Sequence, residues 1–216
     1  MYSLSSVKAL SIEEHIHPLW QKLVNDERIL EEEREPDWAS LVREIVTLQG
    51  GHTASTSDPD NGLISTLDVR LRAIYCYWNF LRGNALCPAR ERFSPAAVTF
   101  ALGRVNMLDV HRNQDGKEYR FLYRLFGSNM AVIEGRDLTG HWVDETTNPE
   151  YMSMLEDHYS HAVEHCEATL YEIKGVFDRK RYDYQRVILP FCSGQPVVTH
   201  LLVCSFPNHN INPDDT

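Results

Sequence analysis

Three histidines in the segment LEDHYSHAVEHC have the spacing with which a metal or haem site often begins. His158, His161 and His165 occupy positions i, i+3 and i+7, so on a helix they fall on one narrow stripe. The apolar face of the same helix passes through Leu155 and Tyr159, and the histidine stripe lies beside that face. The spacing therefore also fits the solvated flank of an amphipathic helix, and periodicity does not decide between the two interpretations.

Two glycines, Gly135 and Gly140, are spaced like the glycines of a phosphate-binding loop. Such a loop needs a lysine and a serine or threonine directly after its last glycine, to reach the phosphates and the magnesium ion. Here His141 and Trp142 occupy those two positions. The spacing therefore favours two turn glycines in a connection rather than a nucleotide site.

No enzyme motif stands out elsewhere. The chain lacks a G-x-S-x-G nucleophile elbow, an H-E-x-x-H zinc helix and a G-x-G-x-x-G dinucleotide fingerprint. Cys192 lies at a predicted hairpin turn without an evident base, and the adjacent acids Asp144 and Glu145 are typical of solvated loop charge. We therefore expect a protein that is not an enzyme, and the sequence names no cofactor.

Charge and cysteine content limit the partners and the compartment. The 216 residues carry a formal net charge of -10, which disfavours direct contact with nucleic acid or an anionic membrane surface. No leader-like or membrane-spanning apolar run is evident. The cysteine count is odd and no C-x-x-C pair occurs, which predicts reduced thiols and a cytoplasmic location. The five cysteines are Cys76, Cys87, Cys166, Cys192 and Cys204.

The predicted secondary structure differs between residues 1–65 and the rest of the chain. Residues 1–65 have an acidic, helical pattern without strand-like alternation, and end in a polar linker, residues 52–62. Two apolar stripes containing Trp20 and Trp38 run through residues 19–48. Such surfaces favour a homodimer interface, although helices of this kind also fold back on their own domain.

Beyond residue 65 the pattern predicts a helix ending at Gly83, two strands, a helical middle and three further strands. RVNMLDVHR and EYRFLYRLFG are joined by a turn from Asn113 to Gly116, and ATLYEIKGVF, YDYQRVILPF and QPVVTHLLVCSF follow the helix NPEYMSMLEDHYSHAVEHCE. Two strands, helices and then three strands indicate an α+β fold with a five-stranded antiparallel sheet and helices on one face.

Several motifs in this order resemble a bacterial PAS family, between Leu67 and Phe206. They are AIYCYWNFLRG, CPARERFSP, YRFLYRLFGSNM, GRDLTGHWVDE and YQRVILPF. The chain departs from the family at Phe93-Ser94-Pro95, where members usually have an aliphatic residue, Asp and Pro, and residues 1–65 lie outside the common pattern. The resemblance implies three parts: a helical N-terminal extension and linker at 1–65, a PAS-like sensory domain at 66–207 and a short polar tail at 208–216.

The resemblance also implies a function. PAS modules are sensory or regulatory, so we expect a small ligand in the pocket between sheet and helices, and a signal passed by contact with another protein. The alternatives are a structural interaction module with a filled pocket and a haem sensor, for which His158 is the nominated ligand because haem-binding PAS domains take an axial histidine from this helix. The expected pocket residues are Phe121, Tyr123, Trp142, Tyr171, Tyr184 and Arg186.

Arg186 has the most specific expected role. Strand alternation places its side chain on the same face as Tyr184, which the pattern predicts to be covered. A guanidinium there requires a partner, because burial of an unpaired charge is unfavourable. Either Arg186 pairs with an acid such as Glu172, or it binds an anionic group of the ligand.

Overall fold

One antiparallel sheet organises the protein. The computed structural model describes residues 4–9, 68–116, 118–145, 148–177, 180–193 and 197–208. Six strands pair in the order β1-β4-β5-β6-β2-β3. Their bounds are β1 Leu4–Ala9, β2 Val105–Arg112, β3 Tyr119–Leu125, β4 Thr169–Phe177, β5 Lys180–Cys192 and β6 Val198–Pro207.

The five strands predicted after residue 65 are all present, and the predicted α+β class is confirmed. The hairpin between β2 and β3 turns at Gly116, whose φ of 73° explains why a glycine stands there. The Gly116 N–H donates to the Asn113 carbonyl oxygen over 3.1 Å, which closes the turn. Local alternation and turn residues thus located these strands correctly.

β1 corrects the expectation that residues 1–65 contain no strand. Leu4–Ala9 pairs antiparallel with β4, with Val7 opposite Ile173, and extends the sheet at that edge. LSSVKA is too short and too polar to give a clear two-residue alternation. Its strand conformation becomes evident only from its pairing with the edge of β4. The helices predicted between residues 11 and 50, including their dimer-forming stripes, lie outside the described residues.

In the described part of the chain, three α-helices cover the sheet. α1 runs from Val69 to Arg82, α2 from Ser128 to Glu134 and α3 from Pro149 to His165. The side chain of Asp68 accepts a hydrogen bond from the Arg70 N–H at the start of α1, and Gly83 ends this helix. Asn148 caps α3 in the same way, by accepting from the Tyr151 N–H. Short 3-10 segments span Arg90–Arg92, Pro95–Arg104 and Val143–Glu145.

The helices divide between the two faces of the sheet. α1 lies against the face that carries Gln185, whose side-chain oxygen accepts a hydrogen bond from the Asp68 N–H over 2.9 Å. α3 lies against the opposite face, where Tyr151 and Tyr184 place their hydroxyl oxygens 3.0 Å apart. α1 is therefore the exception to the expectation of helices on one face. Because both faces are covered, β5 is buried continuously from Gln185 to Cys192.

The cysteines do not all stay reduced. Cys87, which follows α1, forms a disulfide with Cys192 at the end of β5, while Cys76, Cys166 and Cys204 are free. The prediction of reduced thiols was therefore wrong for one pair. Their 105-residue separation hides them from spacing rules, whereas the Cys192 N–H donates to the Pro88 carbonyl oxygen over 2.9 Å and holds the two segments together.

Membrane crossing by a helix is not supported either. Among the described residues, no helix has both the length and the apolar character that a membrane span requires.

Candidate functional site

A cavity of about 270 Å³ lies between the sheet and the helices α2 and α3. β5 and β6 form its floor, and α3 contributes Tyr151, Leu155 and Tyr159 at successive helical turns. Its lining includes the half-exposed Ile133 of α2 and the buried Leu155 and Tyr159, which are 2% and 1% exposed. The cavity thus has both buried and exposed walls.

Arg186 is the buried charged residue of that pocket, whose lining also includes the more exposed Arg104, Glu134, Arg181 and Asp183. Its residue is 3% exposed, and its Nη2 donates to the Tyr151 hydroxyl oxygen over 3.0 Å and to the Tyr184 hydroxyl oxygen. Its Nε and Nη1 have no hydrogen-bond partner within the described part of the chain. Two of the three guanidinium nitrogens are therefore buried without a hydrogen-bond partner, in a residue that lines the cavity.

No carboxylate neutralises this guanidinium among the residues that the structure describes. Glu172, the expected partner, instead lies 3.3 Å from the Lys174 ammonium. Burial raises the pKa of the Tyr184 and Tyr123 phenols well above the ordinary tyrosine value, so both stay neutral at pH 7. Tyr184 therefore gives Arg186 a hydrogen bond without negative charge, and a buried positive charge remains beside the cavity.

The rest of the cavity lining is mostly apolar and aromatic. An engineered cavity of about 150 Å³ in another protein holds benzene. The larger volume here would accommodate a ring or a short aliphatic body together with one small polar group. The apolar lining includes Phe126, Met130, Leu138 and Val203 in addition to the side chains from α3.

A close backbone approach holds α2 over the pocket. Gly127 precedes α2, and its N–H donates to the buried Asn106 side-chain oxygen over 3.0 Å. A side chain at Gly127 would meet the Gly103 carbonyl oxygen at 2.5 Å, so only glycine permits this approach. The Gly127 carbonyl oxygen also accepts from the Ala131 N–H over 2.8 Å, which starts the helix that carries Met130 and Ile133 to the pocket.

The structure brings three of the six expected pocket residues together at the cavity: Tyr123, Tyr184 and Arg186. Phe121 is buried beside it and packs edge-on against Tyr159, with ring centroids 5.3 Å apart. It does not line the cavity, although it shares a face of β3 with Tyr123.

Tyr171 and Trp142 also lie away from the cavity. The Tyr171 ring stacks on His158, with centroids 3.7 Å apart. Trp142 packs against His111 and against the Arg120 guanidinium, which lies 4.1 Å from its centroid. Its isolated bridge to Leu122 holds Trp142 on the outer strand β3, so it cannot reach the pocket.

Among the cavity residues that the sequence analysis did not name for the pocket, two make hydrogen bonds that shape the site. Tyr151 supplies a hydroxyl group to Arg186, and Asn106 lines the pocket and fixes the start of α2. Tyr151 precedes Leu155 and Tyr159 at four-residue intervals, so extension of the apolar face of α3 by one turn would have found it. Asn106 has no comparable signal, because it is one of several polar residues in β2.

The three histidines do not converge on one point. His158 is 9% exposed and stacked on Tyr171, and it is absent from the cavity lining. His161 and His165 are exposed, and the His165 Nδ1 lies 2.9 Å from the His161 carbonyl oxygen. The haem alternative therefore depends on His158 alone. Gly135 and Gly140 both have a φ of 82° in open surroundings, as turn glycines do.

His158 predicts a pH-dependent stability. Burial, and secondarily the Arg186 guanidinium, lower the pKa of His158 to about 3. The unfolded chain binds this proton below a pKa of about 6.5, so stability is lost as pH falls from 6.5 toward 3. Between pH 7 and pH 5 we expect His158 to contribute a loss of about 2 kcal/mol in the free energy of unfolding.

Urea unfolding of the wild-type protein and of His158→Phe at pH 7 and pH 5 measures this contribution. The variant should lose about 2 kcal/mol less than the wild type between these two pH values. His165→Phe is the matched control, because its ring is exposed on the same helix. An equal acid dependence in the wild type and His158→Phe would contradict the assignment.

Comparison with known families gives one match. A family described as PAS domain matches residues 68–201, which is more than half of the chain. No curated protein and no solved structure showed significant similarity to the sequence. The matched residues contain α1, the strands β2 to β5, and both helices above the cavity.

Proposed function

Since the chain belongs to the PAS domain family, whose members are sensory or regulatory modules, we propose that it senses a small anionic molecule bound at Arg186. The ligand class is a monocarboxylate with a compact apolar body. Its carboxylate accepts hydrogen bonds from the guanidinium, and its body fills the space between α3 and the sheet. No catalytic step is part of this function.

The observation that carries this proposal is the unpartnered charge of Arg186. Buried arginines in proteins are normally paired with an acid, because desolvation of a lone guanidinium is unfavourable. Arg186 instead has two unbonded nitrogens, and its hydrogen-bond partners are two tyrosine hydroxyls at the cavity. A carboxylate would supply the missing charge, and its two oxygens match the planar geometry of a guanidinium.

A screen with matched pairs of compounds tests the proposal. Benzoate and phenylacetate are compared with benzamide and phenylacetamide, which have nearly the same shape but no charge. We expect the carboxylates to raise the melting temperature of the protein and the amides to have little effect. Isothermal calorimetry then gives the stoichiometry, which should be one ligand per chain.

Native mass spectrometry of gently purified protein separates the two alternatives. Absence of any added mass, together with equal responses to acids and amides, would favour an interaction module with a filled pocket. A haem sensor would show a Soret band in the absorbance spectrum, and His158→Phe would remove it. Either result would overturn the assignment of a small carboxylate.

A sensory module of this kind also needs an output. We propose that the bound state is passed to a protein partner by direct contact and that the chain acts as a homodimer. The support comes from the sequence: residues 19–48 contain two apolar stripes, each with a tryptophan. A net charge of -10 also favours a protein partner over nucleic acid or an anionic membrane.

Light scattering at micromolar concentration tests the dimer. Wild-type protein should have twice the mass of one chain, and the double variant Trp20→Glu/Trp38→Glu should have the mass of a single chain. Charged residues in the stripes would oppose their burial between two copies. The matched control is Leu86→Glu, at a side chain that is already 64% exposed. A monomeric wild type, or a double variant that remains dimeric, contradicts this interface.

A further inference from the structure

Three cysteines from distant parts of the chain meet at the end of β5. The sulfur atoms of Cys87, Cys166 and Cys192 all lie within 4.8 Å of one another. Cys87 and Cys192 are joined as a disulfide, and the free Cys166 sulfur lies 3.9 Å from that of Cys192. A free thiol thus stands next to a disulfide, with its sulfur close to that of Cys192.

The backbone of Cys166 is unusual for this type of residue. Cys166 directly follows α3 and has φ 52° and ψ 39°, a left-handed conformation. It is the only non-glycine residue with a positive φ among the described residues. Glycine is the common residue at this helix end, because a side chain makes the conformation less favourable. A cysteine therefore occupies a position at which the backbone conformation favours glycine.

We propose that Cys87, Cys166 and Cys192 form a thiol–disulfide exchange site. The Cys166 thiolate attacks the Cys192 sulfur, a Cys166–Cys192 bond forms, and the Cys87–Cys192 bond breaks. The bonding electron pair leaves on the Cys87 sulfur, which takes up the proton that Cys166 released. The step is neutral in electrons and needs no external oxidant or reductant.

The surroundings favour exchange over a metal centre. A structural zinc site needs four ligands, and no histidine or acid joins the three sulfurs among the described residues. Burial also raises the pKa of the Cys166 thiol, so little thiolate is present at neutral pH and we expect slow exchange. Cys87 and Cys192 are each 6% exposed, which protects their disulfide from large reductants.

The exchange changes which element is tied to β5. In the described state the bond connects β5 to the segment after α1. After exchange it connects β5 to the end of α3, the helix that supplies Tyr151, Leu155 and Tyr159 to the cavity. Two covalent isomers of the same oxidation state thus differ in how α3 is held.

Disulfide mapping of the full-length protein tests the proposal. Exchange is stopped with acid, free thiols are alkylated, and the chain is digested with pepsin at low pH to prevent scrambling. We expect wild-type protein to contain both a Cys87–Cys192 and a Cys166–Cys192 linked peptide, with the second increasing as the pH of incubation is raised. Cys76 and Cys204, both buried, serve as internal controls and should appear in no disulfide.

Two variants test which cysteines take part in the exchange. Cys166→Gly suits the left-handed backbone, so it should fold and contain only Cys87–Cys192. Cys87→Ser treated with oxidised glutathione should form Cys166–Cys192. Wild-type protein with Cys87–Cys192 alone at every pH would overturn the proposal. So would protein without a disulfide but with a bound metal ion, or a folded Cys87→Ser chain whose other two thiols remain unlinked.

Discussion

Replacing Arg186 by methionine should abolish the preference of the cavity for carboxylates over their amides while the protein remains folded. Hydrogen bonds to a charged group contribute about 1.5–3 kcal/mol, so the affinity for benzoate should fall by roughly 10- to 150-fold. Methionine has a similar length and no charge to desolvate, so the free energy of unfolding should stay equal or rise. Calorimetry and urea unfolding measure the two effects separately.

Two further variants make the test specific. Arg186→Lys keeps the charge but loses the planar fork, so it should bind benzoate with intermediate affinity. Arg181→Met is the control, because this arginine lines the cavity but its side chain is 82% exposed. Equal benzoate binding by wild type and Arg186→Met would remove Arg186 from the site, and the proposed ligand class would fail with it.

Gly127→Ala should produce the largest loss of stability among simple substitutions near the cavity. The added carbon would lie 2.5 Å from the Gly103 carbonyl oxygen and 2.9 Å from that of Val105. Both are backbone atoms, so no side-chain rotation can relieve the contact. Overpacking of this kind typically costs 1–3 kcal/mol, and we expect a loss of about 3 kcal/mol because Asn106 also holds the Gly127 N–H.

Urea unfolding with Gly116→Ala as the control isolates the contact. Gly116 has a positive φ of 73° but nothing within 4 Å of an added carbon, so its replacement should cost only about 1–2 kcal/mol. Displacement of α2 in Gly127→Ala should also weaken benzoate binding, since Met130 and Ile133 line the cavity. A Gly127→Ala protein as stable as the wild type would show that α2 is not held at this point.

Local patterns in the sequence were enough to locate most of the secondary structure. The helical period predicted α1 and α3, and strand alternation predicted β2 to β6, because each of these elements buries one face against the same core. The turn glycines Gly116, Gly135 and Gly140 were equally evident, since a positive φ is a property of the residue and its two neighbours. β1 was missed because a short polar strand at an edge depends on its partner rather than on its own pattern.

The site depended on contacts that no local pattern contains. Alternation correctly placed Tyr123, Tyr184 and Arg186 on a covered face, but it did not show that Arg186 lacks an acidic partner. Residues 35 positions apart, Tyr151 and Arg186, meet only when α3 packs on the sheet. Trp142 was expected in the pocket but does not line it. Its bridge to Leu122 of β3 forms only in the folded chain, so no local pattern indicated its position.

The sequence alone determined the α+β class, since periodicity and turn residues act over a few neighbouring positions. Its motifs carried the resemblance to the PAS family, which the family match confirms. Only the tertiary structure decided which charge remains unpaired and which cysteines meet. Cys87, Cys166 and Cys192 lie on three segments that the sheet brings together, across as many as 105 residues. How close these segments lie in space depends on how the helices pack on β5. That packing depends on the whole core.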